Sequence, residues 1–514
     1  MRETGAPART IDPWRAALFL IAGLTVLRLW ALFTTPLELY PDEAQYWLWS
    51  RELAFGYYSK PPMVAWLIGL TTGIGGNDEP WVRVSSLFLH AGAALALYGA
   101  GARLYGRWTG FWAAALYSLM PGVALSSGIA STDAPLLFFL SLALFAWAVL
   151  STSEAPRTGL IAAAGMGAAL GGAFLSKYAA LYFLLGLILH AAFSRTARAR
   201  WSWRTTALVL AGFALIAAPN VAWNANHGFA TVTHTAANAD WNPASLFNPG
   251  ELLDFLVGQL GVFGPLPFLA LLAGLVLVAR RKAVEDVDLG LICLLAPPLV
   301  LVSVQALLSR ANANWAAAAY VPASVLVAAW LVRWNARRTL GAAAAIQAAI
   351  ILVFTASVAW PGFAETAGLA NSIKRARGWS ETTDRVLDRA AVEPGLTAIA
   401  VDDRFLFNAM AYYGRDRLAA PGAPPLKMWV RAATPQNQAE TTAPLTAETG
   451  ARVLVVDTSG DTLDQIAPDF ARVGAVQAVS VRLDRKRSRD LALFVAEGFA
   501  KAPRDPVTGF PRRP

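Results

Sequence analysis

The sequence predicts a mainly α protein, with a membrane domain of about eleven transmembrane helices followed by a small α/β domain. The composition of the 514-residue chain supports this fold class, because 56% of its residues are hydrophobic and only 15% are charged. Soluble domains carry about 25% charged residues. A second observation is a series of apolar segments that approach the roughly 20 residues a helix needs to cross a bilayer.

Connections between the apolar segments alternate in charge. The segments lie near 15–35, 81–102, 108–126, 134–150, 158–176, 178–194, 205–222, 252–279, 288–308, 315–332 and 339–360. Every second connection is basic, and these hold Arg2 and Arg9, Arg103 and Arg107, Arg157, Arg195 to Arg204, Arg280 to Lys282, and Arg333 to Arg338. Because excess Lys and Arg mark cytoplasmic loops, the pattern predicts a cytoplasmic N-terminus and an external C-terminal domain.

The same pattern divides the chain into domains. We predict a membrane domain over 1–360, with a first external loop at 35–80, then a soluble α/β domain over 361–500 and a disordered tail over 501–514. The net charge of +9 is explained by basic loops that face anionic headgroups, so no nucleic-acid partner is expected. The single cysteine, Cys293, excludes a disulfide within the chain.

The first external loop carries an acidic pair. Asp42 and Glu43 follow Pro41, which is typical of a helix start with acids near the positive end of the helix dipole. One acid suffices for capping, so the pair suggests a further function beside the structural one. Trp47 and Trp49 farther along are suited to the membrane interface.

Lys60 stands just before Pro61-Pro62, the start of a second short helix. An ammonium group beside a helix N-terminus makes an anion site, which favours phosphate binding with Tyr57 and Tyr58 as neighbours. The alternative is a snorkelling lysine that meets a headgroup.

Further candidates lie at external helix ends. Asp133 begins the fourth span, where it can cap the helix, act in a site, or do both. Lys177 and Arg310 are each a second phosphate contact or an interface anchor. Arg28 falls inside the first span and therefore requires an acidic or polar neighbour.

A loop after the seventh span contains two histidines. His227, His234 and Asp240 include the residue types of metal sites, but their spacing matches no compact metal motif. Hydrogen bonding to substrate or solvent is the interpretation that we favour for His227, and metal ligation stays the alternative.

Four motifs in this order resemble a known family. They are Tyr40 to Trp47 (YPDEAQYW), Tyr57 to Pro62 (YYSKPP), Ser131 to Pro135 (STDAP), and Asn312 to Trp315 (NANW) with Tyr320 to Pro322. They resemble bacterial glycosyltransferases related to protein O-mannosyltransferases, in particular lipid A aminoarabinose transferases and rhizobial lipopolysaccharide galacturonosyltransferases. The resemblance covers roughly residues 15–360.

The resemblance implies a GT-C fold and a sugar donor linked to a polyprenyl phosphate. It implies transfer at the periplasmic face of a bacterial inner membrane, to a hydroxyl of lipid A or lipopolysaccharide, another glycan or a protein. Asp42 would be the catalytic carboxylate, Lys60 would hold the donor phosphate, and Asp133 would line the acidic site. Asn314 lies in the late motif and is a further substrate-binding candidate, as are Glu43 and the two tyrosines.

One departure from the family concerns a metal. The aminoarabinose transferases carry a glutamate of a metal site immediately before the lysine, and here that position is Ser59. The sequence therefore leaves a divalent metal open and predicts no other cofactor.

Two other classes of function fit a polytopic chain. A transporter or flippase of a lipid-linked sugar precursor also has many spans, but such proteins usually contain internal repeats and broken midplane helices. No repeat is visible, and the ionisable residues cluster in external loops. A scaffold whose C-terminal domain binds partners is the third interpretation.

Overall fold

The structure is a computed structural model, and it describes residues 11–242, 245–281, 284–458, 460 and 462–505. Arg2, Arg9 and Lys282, which contribute to the predicted orientation, lie outside the described residues. The same holds for 506–514 of the predicted tail. The described chain is mainly helical and forms two compact units, and each is considered by itself.

The first unit contains Met1–Thr34, Lys60–Leu67 and Arg83–Thr355, and the second contains Thr35–Ser59, Ile68–Val82 and Ala356–Pro514. The helices up to the end of the last apolar segment are α1 (Pro13–Thr34), α2 (Pro41–Trp49), α3 (Met63–Gly75), α4 (Glu79–Tyr105), α5 (Arg107–Ser118), α6 (Pro121–Ser127), α7 (Asp133–Thr152), α8 (Pro156–Ser176), α9 (Leu181–Phe193), α10 (Arg195–Arg200), α11 (Trp203–Asn226), α12 (Ala230–Ala237), α13 (Pro249–Val262), α14 (Pro265–Arg281), α15 (Asp286–Leu308), α16 (Tyr320–Arg333) and α17 (Arg337–Ala359).

Helices lie at all eleven predicted segments, but the number of crossings is not confirmed. Within the described residues, eight helical segments are long and apolar enough to cross a membrane. The count becomes nine when α13 and α14 form one broken span. The predicted segment 108–126 is divided into α5 and α6, and 178–194 is a 3-10 turn followed by the short α9.

Proline and glycine explain why two of these segments are broken. Pro121 and Pro265 each begin a new helix, where the absent N–H of proline costs nothing. Gly264 has a φ of +101°, which permits the 116° bend between α13 and α14. The predicted single helix over 252–279 is therefore two helices.

Small residues bring helices of the first unit close together. α8 packs along α11 over most of its length. A Cβ on Gly167 would collide with the backbone of Val209, and one on Gly212 would lie 3.0 Å from the carbonyl oxygen of Ala164. This close approach is the packing that small residues allow between membrane helices.

The C-terminal part of the second unit is the predicted α/β domain. Its helices are α18 (Pro361–Thr366), α19 (Ala370–Ile373), α20 (Trp379–Ala391), α21 (Arg404–Tyr413), α22 (Arg415–Leu418), α23 (Gln438–Thr442) and α24 (Leu463–Ile466). Its strands are β1 (Ala398–Val401), β2 (Leu426–Met428), β3 (Arg452–Asp457), β4 (Phe470–Val473), β5 (Gln477–Arg482) and β6 (Ser488–Phe499).

The strands form one sheet in the order β2-β1-β3-β6-β4, with β5 also paired to β6. The neighbours β2, β1 and β3 run parallel, and β6 is antiparallel to β3, β4 and β5. Alternate residues face opposite sides, so Ile399 and Val401 pack with α20 and α21, while Ala398 and Ala400 pack with Trp429.

Most of the predicted first external loop belongs to this unit, and only its residues 60–67 lie in the first unit. Helix α2 packs against α21. The Trp47 ring meets the Tyr412 ring edge-on at 4.9 Å, and the backbone N–H of Leu39 donates to the Tyr413 hydroxyl at 2.7 Å. Residues 35–59 and 68–82 therefore lie in one compact unit with the residues from 356 onward, which the predicted division at 360 did not anticipate.

Two expectations for this region are corrected. Trp47 and Trp49 are 5% and 4% exposed, so they form protein core and do not lie at the membrane interface as predicted. The predicted disorder from 501 does not apply to Lys501–Asp505, since the Arg504 guanidinium bonds the buried carboxylate of Asp469 at 2.6 Å.

Candidate functional site

Asp133 lies at the centre of a polar cluster in the first unit. It is the first residue of α7, and its side chain is 13% exposed. Lys177 Nζ donates to its Oδ1 at 2.7 Å, and Asn314 Nδ2 donates to its Oδ2 at 2.7 Å. The charge of Lys60 also acts on this carboxylate. Four segments far apart in sequence thus bring predicted site residues together.

Local structure explains how each side chain reaches the cluster. Lys177 directly follows α8, and its extended backbone (φ −163°, ψ 137°) ends that helix. Asn314 lies in the 3-10 helix Ala313–Ala319. Lys60 comes just before α3 and is partly exposed.

The ammonium groups of Lys177 and Lys60 both act on the carboxylate of Asp133. Burial of a charge is tolerated only when it is paired and hydrogen-bonded, and Asp133 meets both conditions through Lys177 and Asn314. A lysine held in this way, as Lys177 is, suits a phosphate group, which carries negative charge and several acceptor oxygens.

Arg28 has the polar surroundings that were expected for it. Its Nη2 donates to the carbonyl oxygen of Ser118 at 2.6 Å. Nearby, His90 Nδ1 lies 2.8 Å from the Tyr117 hydroxyl. His90 is buried, and the charges of Arg28 and Asp133 both act on it. His90 is not among the residues predicted from the sequence, although a histidine within an apolar span was an available signal.

The acidic residues Asp42 and Glu43 lie in the second unit, and their side chains have different surroundings. Glu43 is 1% exposed, and its Oε2 accepts the backbone N–H of Tyr40 at 2.8 Å, as in a capping box. Asp42 is exposed. Among the described residues its side chain has no hydrogen bond or ion pair. Substrate contact by Glu43 stays a prediction that its burial does not favour, whereas Asp42 is available.

The two tyrosines before Lys60 support the loop. Tyr57 stacks on Trp49 with ring centroids 4.7 Å apart, and its hydroxyl lies 3.0 Å from two backbone carbonyl oxygens. The backbone N–H of Tyr58 donates to Gln438 Oε1 at 2.9 Å, and its hydroxyl lies 3.3 Å from the carbonyl oxygen of Pro435. Their contact with a sugar donor stays a prediction.

His227 and Arg310 have partners of their own. His227 is exposed, stacks on Trp223 at 4.0 Å and places Nδ1 2.8 Å from the Trp223 carbonyl oxygen. Arg310 pairs with Asp240 at 3.3 Å, and both side chains are mostly exposed. Binding of substrate by either residue stays a prediction.

The described residues do not form a metal site. No group of three His, Cys, Asp or Glu side chains among them is arranged to hold a metal ion. Ser59, at the position of the metal-site glutamate, is buried. The residues present therefore do not fit the metal that the resemblance left open, and the mechanism below includes no metal step.

Comparisons with known proteins show the family of this chain. Residues 59–223 match the family described as dolichyl-phosphate-mannose-protein mannosyltransferase. The chain is 34% identical over 403 residues to the lipid A galacturonosyltransferase RgtD of Rhizobium johnstonii, a match that covers 78% of this chain and 83% of the relative.

Solved structures share the fold. ArnT from Cupriavidus metallidurans in the apo state superposes with a TM-score of 0.66 at 15% identity, covering 94% of this chain and 98% of ArnT. ArnT bound to undecaprenyl phosphate gives 0.67 at 15% identity, covering 95% and 98%. At this identity the likeness concerns the fold alone.

Fold and comparisons together define a multi-pass membrane glycosyltransferase of the GT-C group. More specifically, the chain belongs to the family of the rhizobial lipid A galacturonosyltransferase.

Proposed function

We propose that this protein transfers a sugar from a polyprenyl-phosphate donor to a hydroxyl of lipid A at the periplasmic face of the bacterial inner membrane. The observation that carries the proposal is the contact of Lys177 and Asn314 with Asp133, a carboxylate on which the charge of Lys60 also acts. The 34% identical relative is named for transfer of galacturonic acid to lipid A, so we infer a galacturonosyl group as the sugar.

The donor phosphate is the group that the lysines suit. As the bond between the anomeric carbon and the phosphate oxygen breaks, negative charge grows on the leaving phosphate. Lys60 and Lys177 stabilise that charge, and preorganised cations are effective because they need no rearrangement during the reaction. ArnT, which shares the fold, has been solved with a polyprenyl phosphate, undecaprenyl phosphate.

Asp42 is proposed as the base. An acceptor hydroxyl is a weak nucleophile, and a carboxylate within hydrogen-bond reach accepts its proton as the oxygen attacks the anomeric carbon. The new bond forms opposite the leaving phosphate, so the configuration at the anomeric carbon inverts. The exposed carboxylate of Asp42, which is not used for capping, supports this role.

Asp133 and Asn314 are positioning residues in this scheme. The ion pair holds the Lys177 ammonium group where the phosphate is proposed to bind, and Asn314 fixes the orientation of the carboxylate.

The test is transfer of labelled galacturonic acid from a polyprenyl phosphate to lipid A by the purified protein. Asp42→Asn should lower kcat by about 10²- to 10⁴-fold. Glu52→Gln, which alters an exposed carboxylate in the same loop, should not. Full activity of Asp42→Asn would reject Asp42 as the base.

The donor site is tested separately. Lys60→Ala should raise the donor KM and lower kcat/KM by roughly 10²-fold, and Lys60→Arg should restore part of the loss. An unchanged donor KM would remove Lys60 from the site. Movement of the lipid-linked sugar across the bilayer without bond transfer would favour the flippase, and transfer of another sugar only would reject the galacturonosyl assignment.

A further inference from the structure

The turn between β5 and β6 is a short, ordered hairpin tip. The Leu483 N–H donates to the carbonyl oxygen of Arg487 at 3.0 Å, and the Lys486 N–H donates to Asp484 Oδ1 at 2.7 Å. Strand pairing continues to Arg482 and Ser488, directly next to the turn. The side chains at this tip are therefore held on a fixed backbone.

Exposed cations are concentrated at this tip. Arg482, Arg485, Lys486 and Arg487 are all exposed and are here called the basic tip. Arg485 forms an ion pair with Glu365. Among the described residues, no acidic side chain lies within ion-pair distance of Arg482, Lys486 or Arg487. Four cations thus face a single carboxylate in the turn, that of Asp484.

Asp484 remains negatively charged and offsets only one of the four positive charges of the basic tip. The hydrogen bond from the Lys486 N–H, followed by the positive charge of Arg487, lowers the pKa of the Asp484 carboxyl. The turn acid thus organises the backbone, and the basic side chains keep a large excess of positive charge.

The basic tip lies near the end of the last apolar helix. Arg485 pairs with Glu365 at 3.6 Å, and Arg377 also bonds Glu365, at 2.6 Å. Glu365 belongs to α18, which begins at Pro361, just after α17 ends at Ala359. Glu365 therefore lies only six residues beyond the end of this apolar helix.

Two exposed aromatic residues lie in the same short segment after α17. Trp360 and Phe363 are 58% and 41% exposed, although each is large and apolar. Tryptophan and other aromatic rings are enriched where a span leaves the bilayer. Exposed rings next to α17, with cations in contact with α18, are the composition of a surface that meets lipid headgroups.

We propose that the basic tip binds the anionic phospholipid headgroups of the leaflet in which α17 ends. Lipid phosphates near the membrane attract clustered Lys and Arg, and the attraction acts over roughly 8 Å at physiological ionic strength. The contact holds the α/β domain against the membrane. Since α2 packs on α21 in the same unit, it also holds the loop that carries Asp42.

The experiment uses the full chain in nanodiscs of phosphatidylcholine alone, or of phosphatidylcholine with phosphatidylglycerol. Hydrogen exchange of residues 482–488 should be roughly threefold to tenfold slower in the anionic discs. The protection should disappear in high salt because screening removes the attraction. Equal exchange in both lipids would overturn the proposal.

Charge variants separate this contact from a general effect of net charge. The triple variant Arg482→Ser, Lys486→Ser, Arg487→Ser should lose the lipid-dependent protection at Leu483–Arg485. The control triple Arg385→Ser, Arg417→Ser, Arg472→Ser removes the same charge from α20, α22 and β4 and should retain it. Loss in both triples, or in neither, would contradict a local contact with lipid.

Discussion

At the scale of single residues, the pair of Asp133 and Lys177 couples the stability of the first unit to the candidate site. Both side chains are mostly buried, at 13% and 22% exposure, and the two groups are 2.7 Å apart. Removing one partner of such a pair leaves a charge without compensation, which costs more than removing both.

Lys177→Met should therefore destabilise the first unit by about 3 kcal/mol, and the double variant with Asp133→Asn should recover most of that loss. Cys293 is a built-in reporter, because it is the single cysteine and is buried in α15. The temperature at which it reacts with a thiol dye measures unfolding. If the loss of stability in the double variant equals the sum of the losses in the two single variants, the pair is not coupled.

A second residue-scale feature is a carboxyl pair in the α/β domain. Asp402 directly follows β1, and Asp457 is the last residue of the neighbouring strand β3. Thr462 Oγ1 lies 3.1 Å from an oxygen of Asp402 and 2.6 Å from an oxygen of Asp457. Burial, and then the negative charge of Asp457, raises the pKa of Asp402 to about 7.

This pKa predicts a pH dependence of known sign. An aspartate in the unfolded chain titrates near about 3.9, so the folded domain binds more protons between about pH 4 and pH 7. Stability should fall as pH rises through that window, by on the order of 1–3 kcal/mol, and then stay level.

Asp402→Asn should remove the dependence. Hydrogen exchange of β1 and β3 in the full chain at pH 5 and pH 8, corrected for intrinsic rates, measures it. An unchanged difference in the variant would assign the effect to another group. The pair could not be predicted from sequence, because its proximity depends on the parallel register of strands about fifty residues apart.

At the scale of helices, the contact between α8 and α11 depends on glycine. A Cβ at Gly167 would strike the backbone of Val209, which cannot move as a side-chain end can. Gly165, on the same helix, has no atom within 4 Å of its Cβ position. The two positions therefore provide a matched comparison.

Gly167→Ala should lower stability by about 1–3 kcal/mol through overpacking. Gly165→Ala should be neutral or slightly stabilising, because alanine is the better helix former. The temperature of Cys293 exposure is again the measurement. Equal effects of the two substitutions would mean that helix propensity, and not close approach, determines the result.

The sequence predicted helix positions well because an apolar run long enough to cross lipid leaves few other structures. It did not predict the break at Gly264, since glycine is common within membrane helices and only the φ of +101° distinguishes this one. Asp133, Lys177 and Asn314 could each be placed at a helix end. That they share one carboxylate depends on helix packing, which residue spacing does not encode.

At the scale of the whole molecule, the loop with the proposed base depends on residues at the far end of the chain. Trp47 was predicted at the membrane interface because composition alone does not distinguish burial in lipid from burial in protein. In the structure the Trp47 ring packs on Tyr412 of α21, and Trp47 Nε1 donates to Asn77 Oδ1 at 2.9 Å.

Tyr412→Ala should therefore lower kcat at least about tenfold, because a small displacement of a catalytic group is costly. The matched control is Phe494→Ala, which opens a cavity on the opposite face of the sheet and should reduce the free energy of unfolding by a similar amount. If both variants lose stability and activity to the same degree, the contact has no specific role in positioning α2.

Residues 35–59 and 68–82 lie in one unit with the α/β domain, and this also restricts how the chain crosses the bilayer. Segments packed together lie on one side of the membrane, so the chain between them must cross an even number of times. With α1 included, the total is odd. Beyond α1, seven other helical segments of the described chain are long and apolar enough to cross. If these are the only other crossings apart from the bent pair α13 and α14, the bent pair must count as one more crossing, because seven is odd. This parity rejects eight crossings and admits nine or the predicted eleven.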